Sequence, residues 1–332
     1  MLKLVYKSDV IRHGINFTFC SQICKGKSAG RKSALKMHKT KKVISLKKDT
    51  KAAVIFINGQ SNATAHHQFL AEEDRVYEPM KNVFSLDRNP NQSFDITDVT
   101  WSGWTSMGKN LGESQDHTAS LAYFLAKKWQ AAIDAGKPLP DLYIVQISIG
   151  SQGIINGMWN RDKEKILKPG VGAEVNISLL PLALHINKLV MKNLTDAGKN
   201  PEVIGWHWIG CSQEIWNEAY LRDDFRERYD YHFDKMRESM GGDIPTYLYK
   251  VCVRAGCDRY GLPLESEDII NAEIVRQAGR FGAKLVDPRE SPFWDESDSM
   301  YYGIFAEDRA HYLPFIQEWF ADRFFNEVIK TQ

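Results

Sequence analysis

After about residue 50, short continuous apolar runs alternate with longer segments in which apolar residues recur every three or four positions. The short runs end at polar residues or glycine, which is typical of strands buried on both faces of a sheet. This pattern predicts strands at residues 52–57, 142–147, 203–209, 246–251 and 284–286.

The segments between these runs have the spacing of amphipathic helices. In the first of them, Leu121, Phe124, Leu125 and Trp129 fall on one helical face. Glycines follow several of these segments, at positions where helices commonly stop. Strands that alternate with helices of this length predict an α/β fold, in which a mainly parallel sheet is covered by helices on both faces. The predicted helices span residues 118–135, 179–197, 218–240, 266–280 and 312–329.

Two parts of the chain depart from this alternation. Residues 66–116 are mostly irregular and hold Trp101 and Trp104, and an insertion of this length in a compact domain is usually functional or disordered. Residues 1–50 carry thirteen Lys and Arg against two acids, a net charge of +11, whereas the remaining 282 residues carry 30 bases and 40 acids, a net charge of −10. Like charges cannot build a core, so we expect a flexible basic extension at 1–50 and one domain at 51–330.

Hydropathy and charge also bear on location and on macromolecular partners. No apolar run reaches the roughly 18–20 residues of a membrane span, so we expect no membrane partner. Asp9 and Arg12 interrupt the apolar start before it resembles a signal peptide, and a cytoplasmic protein is expected by default. The basic extension leaves open nucleic-acid binding, a mitochondrial-type targeting peptide or a solvated tail. No nucleic-acid-binding motif accompanies the charge, so a nucleic-acid partner is not expected.

Candidate catalytic residues follow the predicted strands, because ligands bind at the carboxyl ends of the strands in a parallel α/β sheet. The first strand runs into Gly59-Gln60-Ser61-Asn62, where Ser61 falls at a strand-to-helix turn. A serine there can expose its hydroxyl and direct its own N–H group at a developing oxyanion. The alternative is a serine that only caps the following helix.

Further candidates follow the second and third strands. Gly150 and Gly153 come after the second strand, where glycines let backbone N–H groups approach a ligand, although an ordinary turn needs them as well. After the third strand, Ser212, Gln213 and Glu214 supply polar side chains directly before a helix, where they can also act as caps.

An Asp-x-x-His pair, Asp308 and His311, precedes the last predicted helix. A carboxylate three residues from a histidine can orient the imidazole, which can then act as a general base on a serine. The alternative is that His311 merely starts the helix. A serine, a glycine, a polar block and Asp-x-x-His thus follow one another in a defined order along the chain.

In this order, the motifs over residues 52–328 resemble those of the SGNH hydrolases, specifically the sialate O-acetylesterase-like carbohydrate esterases. That group begins with a strand and Gly-Gln-Ser-Asn, matched by Gly59 to Asn62, and ends with Asp-x-x-His, matched by Asp308 and His311. The resemblance implies a three-layer α/β/α sandwich of the SGNH or flavodoxin-like type. It also implies a serine esterase that removes acetyl groups from a carbohydrate, either sialic acid or a polysaccharide.

The resemblance further implies a role for each matched residue. Ser61 is expected to be the nucleophile, His311 the general base and Asp308 the residue that orients the imidazole. The Ser61 N–H group is also expected in the oxyanion hole, with the N–H of Gly153 as first choice and that of Gly150 as second.

Other expected contacts are with the oxyanion and the substrate. Gln213 is the candidate oxyanion side chain, and Gln60, Asn62 and Trp159 are candidate substrate contacts. Tryptophans, including Trp216, can stack on sugar rings or fill the core. No metal or cofactor is implied, and the five cysteines lack the spacing of a zinc site or a disulfide framework.

The third block departs from the family pattern. The family usually has a tryptophan followed shortly by Gln-Gly-Glu, whereas here Trp208 precedes Ile-Gly-Cys-Ser and then Gln213 and Glu214. This departure leaves two alternatives to a carbohydrate esterase. One is a non-catalytic glycan-binding module on the same scaffold, and the other is a general carboxylesterase of the same fold.

Overall fold

The computed structural model describes residues 51–64, 80–86, 104–106, 118–162, 179–295, 297 and 302–330. The basic extension expected at 1–50 and most of the insertion at 66–116 lie outside these ranges. The strands are β1 (Lys51–Gly59), β2 (Val83–Leu86), β3 (Trp104–Ser106), β4 (Asp141–Ser148), β5 (Asn200–Ile209), β6 (Thr246–Tyr249) and β7 (Lys284–Val286). The helices are α1 (Ser61–Thr64), α2 (Leu121–Asp134), α3 (Leu179–Asp196), α4 (Gln213–Trp216), α5 (Phe225–Met240), α6 (Arg254–Tyr260), α7 (Glu265–Phe281) and α8 (Pro314–Lys330).

The seven strands in the described ranges form one sheet with the order β3-β2-β4-β1-β5-β6-β7. Six of them run parallel, and β3 pairs with β2 in the antiparallel direction at the edge. The predicted α/β fold with a mainly parallel sheet is therefore confirmed. The central strand β1 is also the strand that leads into Ser61.

The two faces of the sheet are covered by different helices, and β1 contributes to both. Ala53, Ile55 and Ile57 pack with α2 and α8 on one face. Val54 and Phe56 pack with α3, α5 and α7 on the other. Because both faces are buried, β1 appears in the sequence as a continuous apolar run without polar alternation.

Two predicted elements differ in the structure. The helix predicted at 218–240 begins only at Phe225, because Glu218 adopts a left-handed conformation with φ 52° and Arg222 is extended. A 3₁₀ helix at Ala219–Leu221 lies between them. Strands β2 and β3 fall inside the segment 66–116 that was expected to be mostly irregular, and they extend the sheet beyond β4.

None of the described helices combines the length and apolar character that a membrane crossing requires.

Asn58 ties the three central strands together near their carboxyl ends. It is fully buried in β1, and its amide group donates to the carbonyl of Ile147 in β4 at 3.0 Å. Its carbonyl oxygen accepts from the indole N–H of Trp206 in β5 at 3.0 Å. This side chain therefore fixes the spacing of β4, β1 and β5 two or three residues before Ser61.

Replacing Asn58 should destabilise the protein. Asn58→Ala leaves the indole N–H of Trp206 buried without its acceptor, which costs about 1–3 kcal/mol. We expect the free energy of unfolding in urea to fall by that amount. The exposed Asn217 is the matched control, and Asn217→Ala should change it by less than about 0.5 kcal/mol. Equal effects of the two substitutions would contradict this role of Asn58.

Candidate active site

The turn after β1 depends on a glycine. Gly59 has φ 144°, and a Cβ atom on it would lie 2.0 Å from the carbonyl oxygen of Ile209 in β5. That same oxygen accepts a hydrogen bond from the Gln60 N–H at 3.0 Å. The chain can therefore turn tightly into α1, which begins at Ser61. Because Ser61 is the first helical residue and its Oγ forms no hydrogen bond with the described residues, it is not a capping serine of the usual kind.

Asn62 joins the Ser61 turn to the loop that carries His311. Its amide group donates to the carbonyl of Ala310 at 3.0 Å, and its carbonyl oxygen accepts from the Tyr312 N–H at 2.9 Å. These two partners are the residues on either side of His311. The serine turn and the histidine loop, far apart in the sequence, are thus held side by side.

The predicted Asp308–His311 contact is present within the histidine loop. Nδ1 of His311 lies 2.5 Å from Oδ2 of Asp308. Oδ1 of Asp308 accepts from the N–H groups of Ala310 and His311 at 3.0 and 3.1 Å. Arg309 supports this tight turn with a left-handed φ of 59°. Asp308 therefore holds the imidazole through its Nδ1 atom.

The hydrogen bonds to Asp308 outweigh the effect of its burial. Burial alone would raise the pKa of this carboxyl, but the bonds from His311 Nδ1 and from the two backbone N–H groups hold the pKa well below its ordinary value. An ionised carboxylate can only accept, so Nδ1 of His311 must carry the proton of their shared bond. Nε2 is then the acceptor nitrogen in this tautomer of the ring.

Gln60 connects the serine turn to the polar block after β5. Its Oε1 accepts from the Ser212 hydroxyl at 2.8 Å and from the Gln213 N–H at 3.3 Å. The side chain is almost fully buried. Gln60 therefore sets the position of α4 relative to Ser61.

Gly153 packs directly against this block. A Cβ atom on Gly153 would lie 2.4 Å from Oε1 of Glu214 and 3.4 Å from Cβ of Gln213. Gly153 is therefore brought next to Gln213, as the oxyanion prediction requires. The carbonyl of Gly150 accepts a hydrogen bond from the side chain of Gln152, two residues later in the same loop, at 3.3 Å.

Glu214 is the residue of this region that the sequence did not single out beyond its polarity. Its Oε1 accepts from the N–H groups of Ile154 and Ile155 at 2.6 and 3.3 Å, and its side chain is fully buried. Burial raises the pKa of Glu214, and the same two N–H groups oppose that rise. The available signal was a carboxylate after β5 and a glycine loop after β4, the two strands that flank β1 in the sheet.

Of the three expected substrate contacts, the structure removes Trp159 from the surface. Trp159 is fully buried, and its indole N–H donates to the carbonyl of Gly59 at 3.1 Å. Oε1 of Gln60 accepts from α4, and both ends of the Asn62 carboxamide bond the histidine loop. A substrate contact by Gln60 or Asn62 stays a prediction. Trp101 and the side chain of Trp104 lie outside the described residues.

Cys211 lies close to the site but is not a candidate nucleophile. It is fully buried, and its sulfur accepts from the indole N–H of Trp208 at 3.2 Å. Burial, with a further contribution from the nearby Glu214, raises the pKa of this thiol to about 12. A thiol that stays protonated at neutral pH is a poor nucleophile.

No protein-family model and no curated protein matches the sequence. Solved structures do match. NanS is 15% identical, with 86% of this chain and 99% of that chain covered and a TM-score of 0.55. A protein from Arabidopsis thaliana is 11% identical, with 84% of this chain and 98% of that chain covered and a TM-score of 0.52. These two likenesses agree with the predicted α/β fold.

The ionised state of Asp308 gives a prediction for stability against pH. A carboxyl whose pKa is lowered by folding stabilises the protein above its unfolded pKa of about 4, and this contribution is lost as the pH falls through the folded value. We therefore expect Asp308→Asn to lower the free energy of unfolding at pH 7, and the difference from wild type to shrink below about pH 4. Urea denaturation at several pH values measures this.

The exposed Asp223 serves as the control for this measurement. Asp223→Asn should give a small difference from wild type that varies little over the same pH range. A difference for Asp308→Asn that stays constant down to pH 3 would show that the carboxylate is not ionised against His311 as described.

Proposed function

From the SGNH-hydrolase fold and the residues at its strand ends, we propose that this protein is a serine esterase. The observation that supports the proposal is the Asn62 carboxamide, which bonds the residues on both sides of His311 and so joins the loop of the Asp308–His311 pair to the turn of Ser61. Nε2 of His311 takes the proton of Ser61 as Oγ attacks the ester carbonyl.

The same imidazole then completes the reaction. It gives the proton to the departing alcohol, which leaves an acyl group on Ser61. A water molecule gives a proton to His311 as it attacks the acyl carbon, and the imidazolium returns that proton to Oγ of Ser61 as the bond between Oγ and the acyl carbon breaks and the acid is released. Asp308 keeps the proton of the ring on Nδ1 throughout, and its ionised carboxylate stabilises the imidazolium that forms in each step.

The oxyanion would be held by backbone N–H groups next to Ser61. The N–H groups of Ser61 and Gly153 donate no hydrogen bond to any described residue, so both are available to a negative oxygen. Gln213 lies against Gly153 and supplies the third donor in the proposal. Loss of one such donor typically reduces turnover by about 10²–10³-fold.

We further propose that the alcohol is a carbohydrate, because a partly exposed aromatic pair lies beside the histidine loop. Trp216 and Tyr260 meet edge to face at 5.7 Å, and the Tyr260 side chain is 61% exposed. Gly256 leaves room for them: a Cβ atom there would lie 2.7 Å from the Trp216 ring and 3.1 Å from the carbonyl of Arg309. Amphipathic aromatic rings of this kind suit the apolar faces and hydroxyl edges of a sugar.

The first test is hydrolysis of a chromogenic acetate ester. Wild type should release acetate, and Ser61→Ala should lower the rate to background because no nucleophile remains. Ser239 is a control serine at the opposite end of the sheet, where α5 leads into β6. Ser239→Ala should keep the wild-type rate. Equal background rates for wild type and Ser61→Ala would contradict the esterase and favour a non-catalytic binding module.

A second test separates a carbohydrate esterase from a general carboxylesterase. Tyr260→Ala should raise KM for an acetylated xylan or sialic acid by roughly threefold to tenfold, since an aromatic contact contributes about 0.5–1.5 kcal/mol. It should leave hydrolysis of the small chromogenic acetate unchanged. Tyr231, 37% exposed on α5, gives the matched variant Tyr231→Ala, which should change neither. Unchanged kinetics of Tyr260→Ala on the sugar would remove the carbohydrate from the proposal.

A further inference from the structure

The carboxyl group of Glu214 is positioned to control the glycine loop after β4. Glu214 lies in the first turn of α4 and is fully buried. Its Oε1 accepts hydrogen bonds from two consecutive backbone N–H groups, those of Ile154 and Ile155. A single acceptor thus fixes the direction of the peptide units that directly follow Gly153.

The loop has no space in which to adjust around this acceptor. A Cβ atom on Gly153 would lie 2.4 Å from Oε1 of Glu214, and a Cβ atom on Gly157 would lie 2.1 Å from the nitrogen of Gly153. The Gly153 peptide is therefore packed between the carboxyl group on one side and Gly157 on the other. Its position follows the position of Glu214.

The other end of this connection reaches the serine turn. The residues before Glu214, Ser212 and Gln213, both donate to Oε1 of Gln60, which precedes Ser61. Through α4, the carboxyl group therefore sets the Gly153 loop at a defined distance from the Ser61 turn. These are the two segments that carry the proposed oxyanion donors.

We propose that Glu214 is a positioning residue for the oxyanion hole, which holds the Gly153 N–H group in register with that of Ser61. This inference rests on the proposed esterase function. It predicts that the hydrogen-bond acceptor of Glu214 contributes to kcat. Removing this acceptor should lower kcat by more than the removal of another buried carboxyl does.

A second buried carboxyl provides a matched control. Oε2 of Glu267 accepts from the N–H groups of Val253 and Arg254 at 2.5 and 3.1 Å, and Glu267 is also fully buried. It holds consecutive peptide units as Glu214 does, but in a loop that carries no proposed catalytic group. Glu267→Ala should therefore cause a similar loss of stability without moving the proposed oxyanion donors.

The experiment compares Glu214→Ala, Glu214→Gln and Glu267→Ala with wild type on the chromogenic acetate, well below the unfolding temperature of the least stable variant. Glu214→Ala should reduce kcat by about 10²-fold, the size of effect found when an oxyanion donor is lost, and change KM by less than about threefold. Glu214→Gln keeps an acceptor oxygen and should stay within about tenfold of wild type. Glu267→Ala should lower the unfolding temperature but leave kcat within about threefold.

Three results would overturn the inference. An equal loss of kcat in Glu214→Ala and Glu267→Ala would reduce Glu214 to a structural role. A loss in Glu214→Gln as large as in Glu214→Ala would exclude the acceptor oxygen as the cause. If wild type itself is no faster than Ser61→Ala, the esterase proposal fails, and the inference about Glu214 fails with it. This result is distinguishable from the first two, because no variant then has an activity above background.

Discussion

The whole site depends on the two hydrogen bonds of the Asn62 carboxamide. One side chain donates to the carbonyl before His311 and accepts from the N–H after it, so the histidine loop cannot shift without breaking a bond. Asp308 then fixes the ring within that loop. The turn of a serine and the loop of a histidine, separated by most of the chain, are thereby joined by bonds that neither of these two side chains makes.

The same logic applies to the other polar side chains around the serine turn. Gln60 and Trp159 bond α4 and the backbone of Gly59, and both are buried. Hydrogen bonds inside the protein restrict these two side chains, and a rigid surround is what a preorganised oxyanion site requires. In the proposed esterase, the half-buried Ser61 and His311 and the aromatic rings beyond Gly256 form the surface for a substrate.

The sequence predicted the sheet because strands buried on both faces consist of consecutive apolar residues, as β1 does. It predicted Ser61, Asp308 and His311 as candidates because each motif falls at a predicted turn. These motifs also contain the groups that acyl transfer needs, a serine hydroxyl and an imidazole oriented by a carboxylate. It did not predict the burial of Trp159, since residue type does not reveal which way a side chain points. It also failed at Glu218, whose left-handed backbone is imposed by its surroundings and carries no glycine or proline signal.

Gln317 in α8 completes this arrangement. Its amide group donates to the carbonyl of Asn62 at 2.8 Å, and its carbonyl oxygen accepts from the N–H at the start of α2 at 3.1 Å. Asn62 and Gln317 lie 255 positions apart in the sequence, and a domain generally folds as a unit. The turn that carries the proposed nucleophile therefore acquires its full set of hydrogen bonds only after α8 has been synthesised and has docked on the sheet.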